Sequence, residues 1–219
     1  MSSVSSPEGR HARTLQRGCQ DLGLDLAPAQ RDALLHYLAL LERWNRSYNL
    51  TAVRDPQEMV TRHLLDSLAV SPHLQGARIL DVGSGAGLPG VPLAIMHPGR
   101  EFHLLDSNGK RTRFLFQVKT ALRLANMVVH QARVETFPAD PPYDEVLSRA
   151  FASLGDMYRD CRHLLAPGGR CLAMKGTYPA GELNASALQA ARVTVHPLQV
   201  PGLDEHRHLV DIRPQASRR

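Results

Sequence analysis

Cysteine, lysine, aromatic residues and long apolar stretches are all scarce in this 219-residue chain. Its three cysteines, Cys19, Cys161 and Cys171, are scattered and never in Cys-x-x-Cys spacing, which argues against a disulfide framework and a zinc site. They are expected as small buried apolar residues. Histidine and cysteine never cluster in ligand spacing, so no metal is expected. No apolar run reaches the roughly 18 residues of a membrane span, and no signal-peptide core opens the chain. A soluble, cytoplasmic monomer with no membrane partner is therefore expected. Lysine occurs only at Lys110, Lys119 and Lys175, so the rest of the 26 basic residues are arginine. With a net charge of +5 and a pI near 9.4, that excess of planar guanidinium suits phosphates and base edges. A GC-rich genome produces the same bias, so charge alone does not choose a nucleic-acid partner.

What the chain does have is periodicity. "PAQRDALLHYLALLERWNR" (28–46) spaces Leu34, Leu35, Leu38, Leu41 and Trp44 by three and four after a helix-starting proline. A weaker helix is expected over 10–22. A third opens at Asp55-Pro56 as N-cap and first turn. From residue 77 short apolar runs alternate with helical ones: strands over 77–83, 101–107, 126–131, 144–150 and 170–176, helices near 88–97, 110–124, 153–165 and 179–192. That alternation implies a largely parallel sheet covered on both faces, and the runs at 193–200 and 207–214 are close enough to pair antiparallel. The expected division is a disordered tail (1–9), an N-terminal helical segment (10–73), an α/β domain (74–214) and a frayed end (215–219).

"ILDVGSGAGLPG" follows the first strand and opens a helix. Gly85, Gly87 and Gly90 fit the dinucleotide pattern G-x-G-x-x-G, in which backbone approaches a pyrophosphate. Asp81 with Gly83, Gly85 and Gly87 also fits D-x-G-x-G-x-G, the S-adenosylmethionine loop of Rossmann-like methyltransferases. Charge separates the two. A carboxylate at the strand end would repel a diphosphate, whereas it would welcome the methionyl ammonium. Asp106, nineteen residues after Gly87 and ending the second strand, suits an acid bonding ribose hydroxyls. "LLAPGG" (164–169) before the fifth strand agrees, although Pro-Gly-Gly is also simply a good loop.

Through these residues the chain resembles the small-subunit ribosomal RNA methyltransferase G family, also called glucose-inhibited division protein B, over roughly 30–213. The resemblance is carried by "RWNRSYNLTAV" (43–53), "RHLLDSLAV" (62–70), "ILDVGSGAGLPGVPLAI" (79–95), "LLDSNGKRTRFL" (104–115), "ARVETF" (132–137), "VLSRAF" (146–151) and "AMKG" (173–176). It implies a Rossmann-like class I methyltransferase, with a seven-stranded, mostly parallel sheet whose last strand is antiparallel. It further implies methyl transfer from S-adenosylmethionine to N7 of a guanine in the 530 loop of 16S rRNA, alone or in the assembling small subunit. By the same resemblance the cofactor pocket adds Leu88, Ser107, Asn108, Val134, Glu135 and Arg149 to Gly83 and Asp106. Asp106 stands where many relatives carry glutamate.

"DPPY" (140–143) is the tetrad of enzymes that methylate exocyclic amino groups, but there it follows an apolar strand and here it precedes one. It would lie at the end opposite ligand binding, so a turn is expected. Cys161 and Cys171 are poorly placed as nucleophiles for cytosine C5 chemistry. Guanine N7 needs neither device: its lone pair lies in the ring plane without a proton, so alignment and exclusion of water would carry catalysis. No catalytic residue is certain; Arg149, Lys175 and His63 are candidates. Candidates for gripping RNA are Asn49, Arg62, His63, Arg111, Arg113, Arg149 and Lys175, each alternatively a solvated surface group. His63 and Asp66, one helical turn apart, either orient a ligand or pair with each other. Two other readings stay open: a methyltransferase acting on a small molecule or protein, and an NAD-binding protein.

Overall fold

In a computed structural model the described residues are 7–149 and 151–215. Helices α1 (Pro7–Asp21) and α2 (Pro28–Tyr48) open the chain. Residues 7–9, expected in a tail, belong to α1, while 1–6 and 216–219 lie outside the described residues. Pro28 supplies the fixed φ of a first turn, and the amide of Ala27 donates to the Gln30 side chain at 3.1 Å. Asn49 ends α2 in the left-handed region, φ 48°.

The third helix is broken rather than continuous. It runs as α3 (Pro56–Met59), a π-helical turn (Val60–Leu65) and α4 (Asp66–Leu68), with Asp55 accepting the amide of Gln57 at 2.8 Å as N-cap. A π turn closes i to i+5, so residues three apart no longer share a face. The side chains of His63 and Asp66 accordingly find other partners, while the Asp66 amide donates to the His63 carbonyl along the helix.

Strands β1 (Arg78–Val82), β2 (Glu101–Asp106), β3 (Met127–Gln131), β4 (Tyr143–Ser148), β5 (Leu165–Lys175), β6 (Ala191–Leu198) and β7 (Arg207–Pro214) form one sheet. Their order is β3-β2-β1-β4-β5-β7-β6, with β7 antiparallel to both neighbours, as expected. Helices α5 (Gly90–Met96), α6 (Gly109–Leu122) and α7 (Leu154–Cys161) connect them. Gln215, expected to fray, donates its amide to Ala190 at 2.9 Å. The helix expected over 179–192 does not form. Pro179, Gly181 and Asn184 disfavour helix together, and the segment is a run of turns with one 3-10 turn at Ser186–Leu188 before β6.

The N-terminal helices do not stand apart from the sheet. Leu15, Leu34, Tyr37, Leu41 and Leu65 pack in one core with Phe114 and Leu115 of α6 and with Ile79, Phe102, Leu147, Leu172 and Leu209 of the sheet. The other face is covered by α7, where Leu154, Met157 and Cys161 meet Leu80, Val146, Cys171 and Val210. All three cysteines are buried and free, and burial pushes the Cys161 thiol up to about 12. Tyr143 opens β4, buried, with its hydroxyl 3.0 Å from Nδ1 of His103. The Asp140–Tyr143 tetrad is thus the entry to a strand, as expected. The strand order reverses between β1 and β4, and at such a switch point ligands bind beyond the carboxyl ends of the strands.

Candidate active site

Three glycines with positive φ, Gly83 (67°), Gly85 (57°) and Gly87 (92°), carry the chain from β1 to α5. Gly87 is required on two counts: its φ is disfavoured for L side chains, and an added Cβ would lie 2.5 Å from Val91 and 2.9 Å from Leu115. Gly90 lets the start of α5 approach Asp81, whose Oδ2 accepts the Gly90 amide at 2.9 Å. Asp81 is 1% exposed, and its Oδ1 has no partner among the described residues. Burial pushes this carboxyl up to about 7, against the opposing effects of the Gly90 bond and the Arg149 charge.

Asp106 ties the loops after β1 and β2 together. Its Oδ2 accepts the Gly85 amide at 2.9 Å, its Oδ1 accepts the Asn108 amide at 2.8 Å, and Arg111 lies 3.3 Å away. From the opposite side the buried Tyr37 hydroxyl donates to the Ala86 carbonyl at 2.7 Å. Replacing Tyr37 with Phe strands that carbonyl, and urea unfolding should lose about 1–3 kcal/mol. An unchanged midpoint would show that the bond does not hold the loop.

Two cavities lie at the carboxyl edge, on either side of the segment that follows β4. The first, about 210 Å³, is lined by Gly83, Asp106, Ser107, Arg111, Val134 and Glu135, joined by Val82, Leu105, Ala132, Arg133 and Phe151. The second, about 230 Å³, is lined by Asp66, Arg149, Met174, Lys175, Gly176, Leu198, Arg207 and His208. Ser148, which donates to the Val82 carbonyl at 2.8 Å, fixes the strand ends between them.

Five expected cofactor residues, Gly83, Asp106, Ser107, Val134 and Glu135, therefore converge on one cavity. Others act from behind it: Asp81 lies under the loop, Gly85 bonds Asp106, and Leu88 is buried in the core. Asn108 caps α6 through the Lys110 amide at 2.9 Å. Arg149 borders the second cavity instead, drawn to the buried Asp66 at 3.1 Å. Arg111, expected on RNA, reaches the first cavity through Asp106. Sequence reasoning missed Ala132, Arg133 and Phe151 as lining residues, although they lie one, two and three residues beyond a strand end.

The remaining candidates are mostly engaged. His63 is 2% exposed and holds Thr51 through Nε2 at 2.9 Å; burial lowers its pKa to about 4, so it is neutral near pH 7. Arg62 makes a two-point pair with Glu205 at 2.8 and 3.1 Å. Lys175 bonds both carboxylate oxygens of Glu182 at 3.0 Å and the Ala152 carbonyl at 3.2 Å. Asp66 bonds Arg207 at 3.0 Å as well as Arg149. Arg113 and Asn49 are exposed, the latter accepting from Arg54 at 3.2 Å.

The model of the rRNA small subunit methyltransferase G family matches residues 30–210. A ribosomal RNA small subunit methyltransferase G from Pseudomonas syringae pv. syringae is 50% identical over 99% of this chain and 100% of its own length. Its namesake from Ectopseudomonas mendocina is 53% identical over 93% of this chain and 96% of its own. Among solved structures, magnesium protoporphyrin IX methyltransferase from Synechocystis, with bound S-adenosylhomocysteine, superposes with a TM-score of 0.56 at 12% identity, covering 82% of this chain and 100% of that one. At that identity the likeness concerns the fold alone: a Rossmann-like methyltransferase sheet.

Proposed function

The chain belongs to the rRNA small subunit methyltransferase G family, and from that premise we propose that it methylates N7 of a guanine in the 530 loop of 16S rRNA, using S-adenosylmethionine. The observation that carries this reading is half-identity to such enzymes along virtually the whole chain. The residues fit the cofactor. A buried carboxylate oxygen of Asp81 without a partner answers a cationic ammonium and would repel a diphosphate. Gly83, Asp106, Ser107, Val134 and Glu135 would hold the nucleoside, while Arg149 lines the second cavity.

When bound, S-adenosylmethionine supplies an electrophilic methyl group, which the N7 lone pair takes as the C–S bond breaks and its electron pair stays on sulfur. No proton moves. Asp66 is paired with Arg149 and Arg207 and Glu182 with Lys175, while burial raises the Asp66 carboxyl above its ordinary value. We expect a pH-rate profile for the methyl step with no essential carboxylate base near neutrality. An Asp or Glu variant that binds both ligands yet loses chemistry would count against it. The chain's part is then to align N7 with the methyl group and to exclude water.

N7 lies on the edge that a continuous A-form helix hides in its narrow groove, so the guanine is taken unpaired. Exposed Arg113 and Asn49 are the proposed grip; Arg149 and Arg207 would first have to leave Asp66, Arg62 would have to leave Glu205, and Lys175 would have to leave Glu182. Among the described residues no helix is long and apolar enough to cross a membrane, and we place the reaction in the cytoplasm, with the chain acting as a monomer on 16S rRNA or the assembling subunit. The test is transfer of labelled methyl from S-adenosylmethionine to small subunits taken from cells lacking the gene. Label confined to one guanine N7 in the 530 loop supports the assignment; no label, or label on protein, overturns it.

A further inference from the structure

Three large apolar side chains are strongly exposed among the described residues: Tyr48, Phe116 and Tyr178. Single exposed aromatics are ordinary on a protein surface, and position separates these three. Tyr48 leans on Trp44, ring centroids 5.2 Å apart, and Phe116 lies on α6. Tyr178, 55% exposed, does not itself line the second cavity but packs on a residue that does. Its ring meets that of His208, which lines the cavity, edge to face at 5.6 Å and 79°. The Nδ1 of His208 is buried without a partner among the described residues.

The segment bearing Tyr178 is anchored on both sides. Lys175 precedes it, bound to Glu182 and to the Ala152 carbonyl. Glu182 follows it, and its Oε2 accepts the Leu154 amide at 2.6 Å, closing the segment against the start of α7. Between these anchors the Ala180 amide donates to the Tyr178 carbonyl at 3.0 Å. A ring held against a cavity-lining side chain on a pinned loop loses little freedom when something stacks on it.

We propose that Tyr178, backed by His208, is the positioning residue on which the target purine stacks as it enters the second cavity. The inference rests on the methyltransferase reading above and names the group that orients its base. Unpaired bases are gripped chiefly by stacking on aromatic side chains. The positive charge that sulfur loses appears on the purine, and the electron-rich face of a phenol holds a cationic ring more tightly than a neutral one. An interaction that strengthens as charge arrives lowers the barrier as well as improving binding.

The test compares Tyr178→Ala, Tyr178→Phe and Tyr178→Trp with wild type, using small subunits from cells lacking the gene as substrate and calorimetry with S-adenosylhomocysteine as a second readout. Tyr178→Ala should lower kcat/KM about tenfold, with a share of the loss in kcat. Both aromatic variants should recover to within about threefold of wild type, and cofactor affinity should stay unchanged throughout. Wild-type rates in Tyr178→Ala, or a Phe variant as impaired as the Ala variant, would overturn the stacking role while leaving the enzyme assignment intact. No methyl transfer by wild type would overturn both.

Discussion

Asp81→Asn should weaken binding of S-adenosylmethionine by about a hundredfold or more, because it removes one charge of a buried pair and leaves the ammonium unanswered. The same side chain gives a pH signature. In the empty protein its carboxyl is pushed up to about 7 by burial, from an ordinary 3.8. A cationic ligand binds the ionised form, so affinity should be full above about pH 7 and fall on acidification through that value, by up to about tenfold per pH unit. Stability runs the other way. A carboxyl whose folded value is raised favours the fold below its unfolded value, and that contribution is lost as pH rises through about 7. Calorimetric titration from pH 5.5 to 8 would show the slope for wild type and none for the variant. If Asp81 only braced Gly90, both proteins would show the same flat profile.

Arg170→Met should cost about 3–5 kcal/mol of unfolding free energy, since it leaves buried Glu145 without its cation and Asp211 with Arg213 alone. Arg170 is 4% exposed and bonds Glu145 at 2.8 Å through Nε and Asp211 at 2.6 Å through Nη1, with a further bond to the His73 carbonyl. Glu145 and Asp211 are themselves 1% and 6% exposed. The cluster joins β4, β5 and β7 near the amino ends of the parallel strands, away from both active-site cavities. Urea unfolding should therefore register the loss while S-adenosylhomocysteine affinity of the folded variant stays near wild type. A loss under about 1 kcal/mol would mean that Arg213 and water, rather than Arg170, satisfy the two acids.

The sheet and the cofactor loop were legible in the sequence because each depends on local signals. Apolar runs separated by helical ones dictate parallel strands, and glycines at 83, 85 and 87 mark positive φ. Pairing between distant side chains was not legible. Nothing local distinguishes an arginine that grips RNA from Arg62, held by Glu205, or from Arg149, held by Asp66, since those partners are set only when the π-helical turn and β7 come together. The π turn itself has no sequence signature, so His63 and Asp66 read as neighbours on one face. The segment after β5 was misread for a different reason: its alanines suggest a helix, yet Pro179, Gly181 and the pinned Glu182 hold it as turns.

The most direct measurement is mass mapping of 16S rRNA from cells with the gene, without it, and with it restored. Loss of a single N7-methylguanine in the 530 loop on deletion, and its return on restoration but not with Asp81→Asn, is the result this account predicts. An unchanged modification pattern after deletion would contradict it.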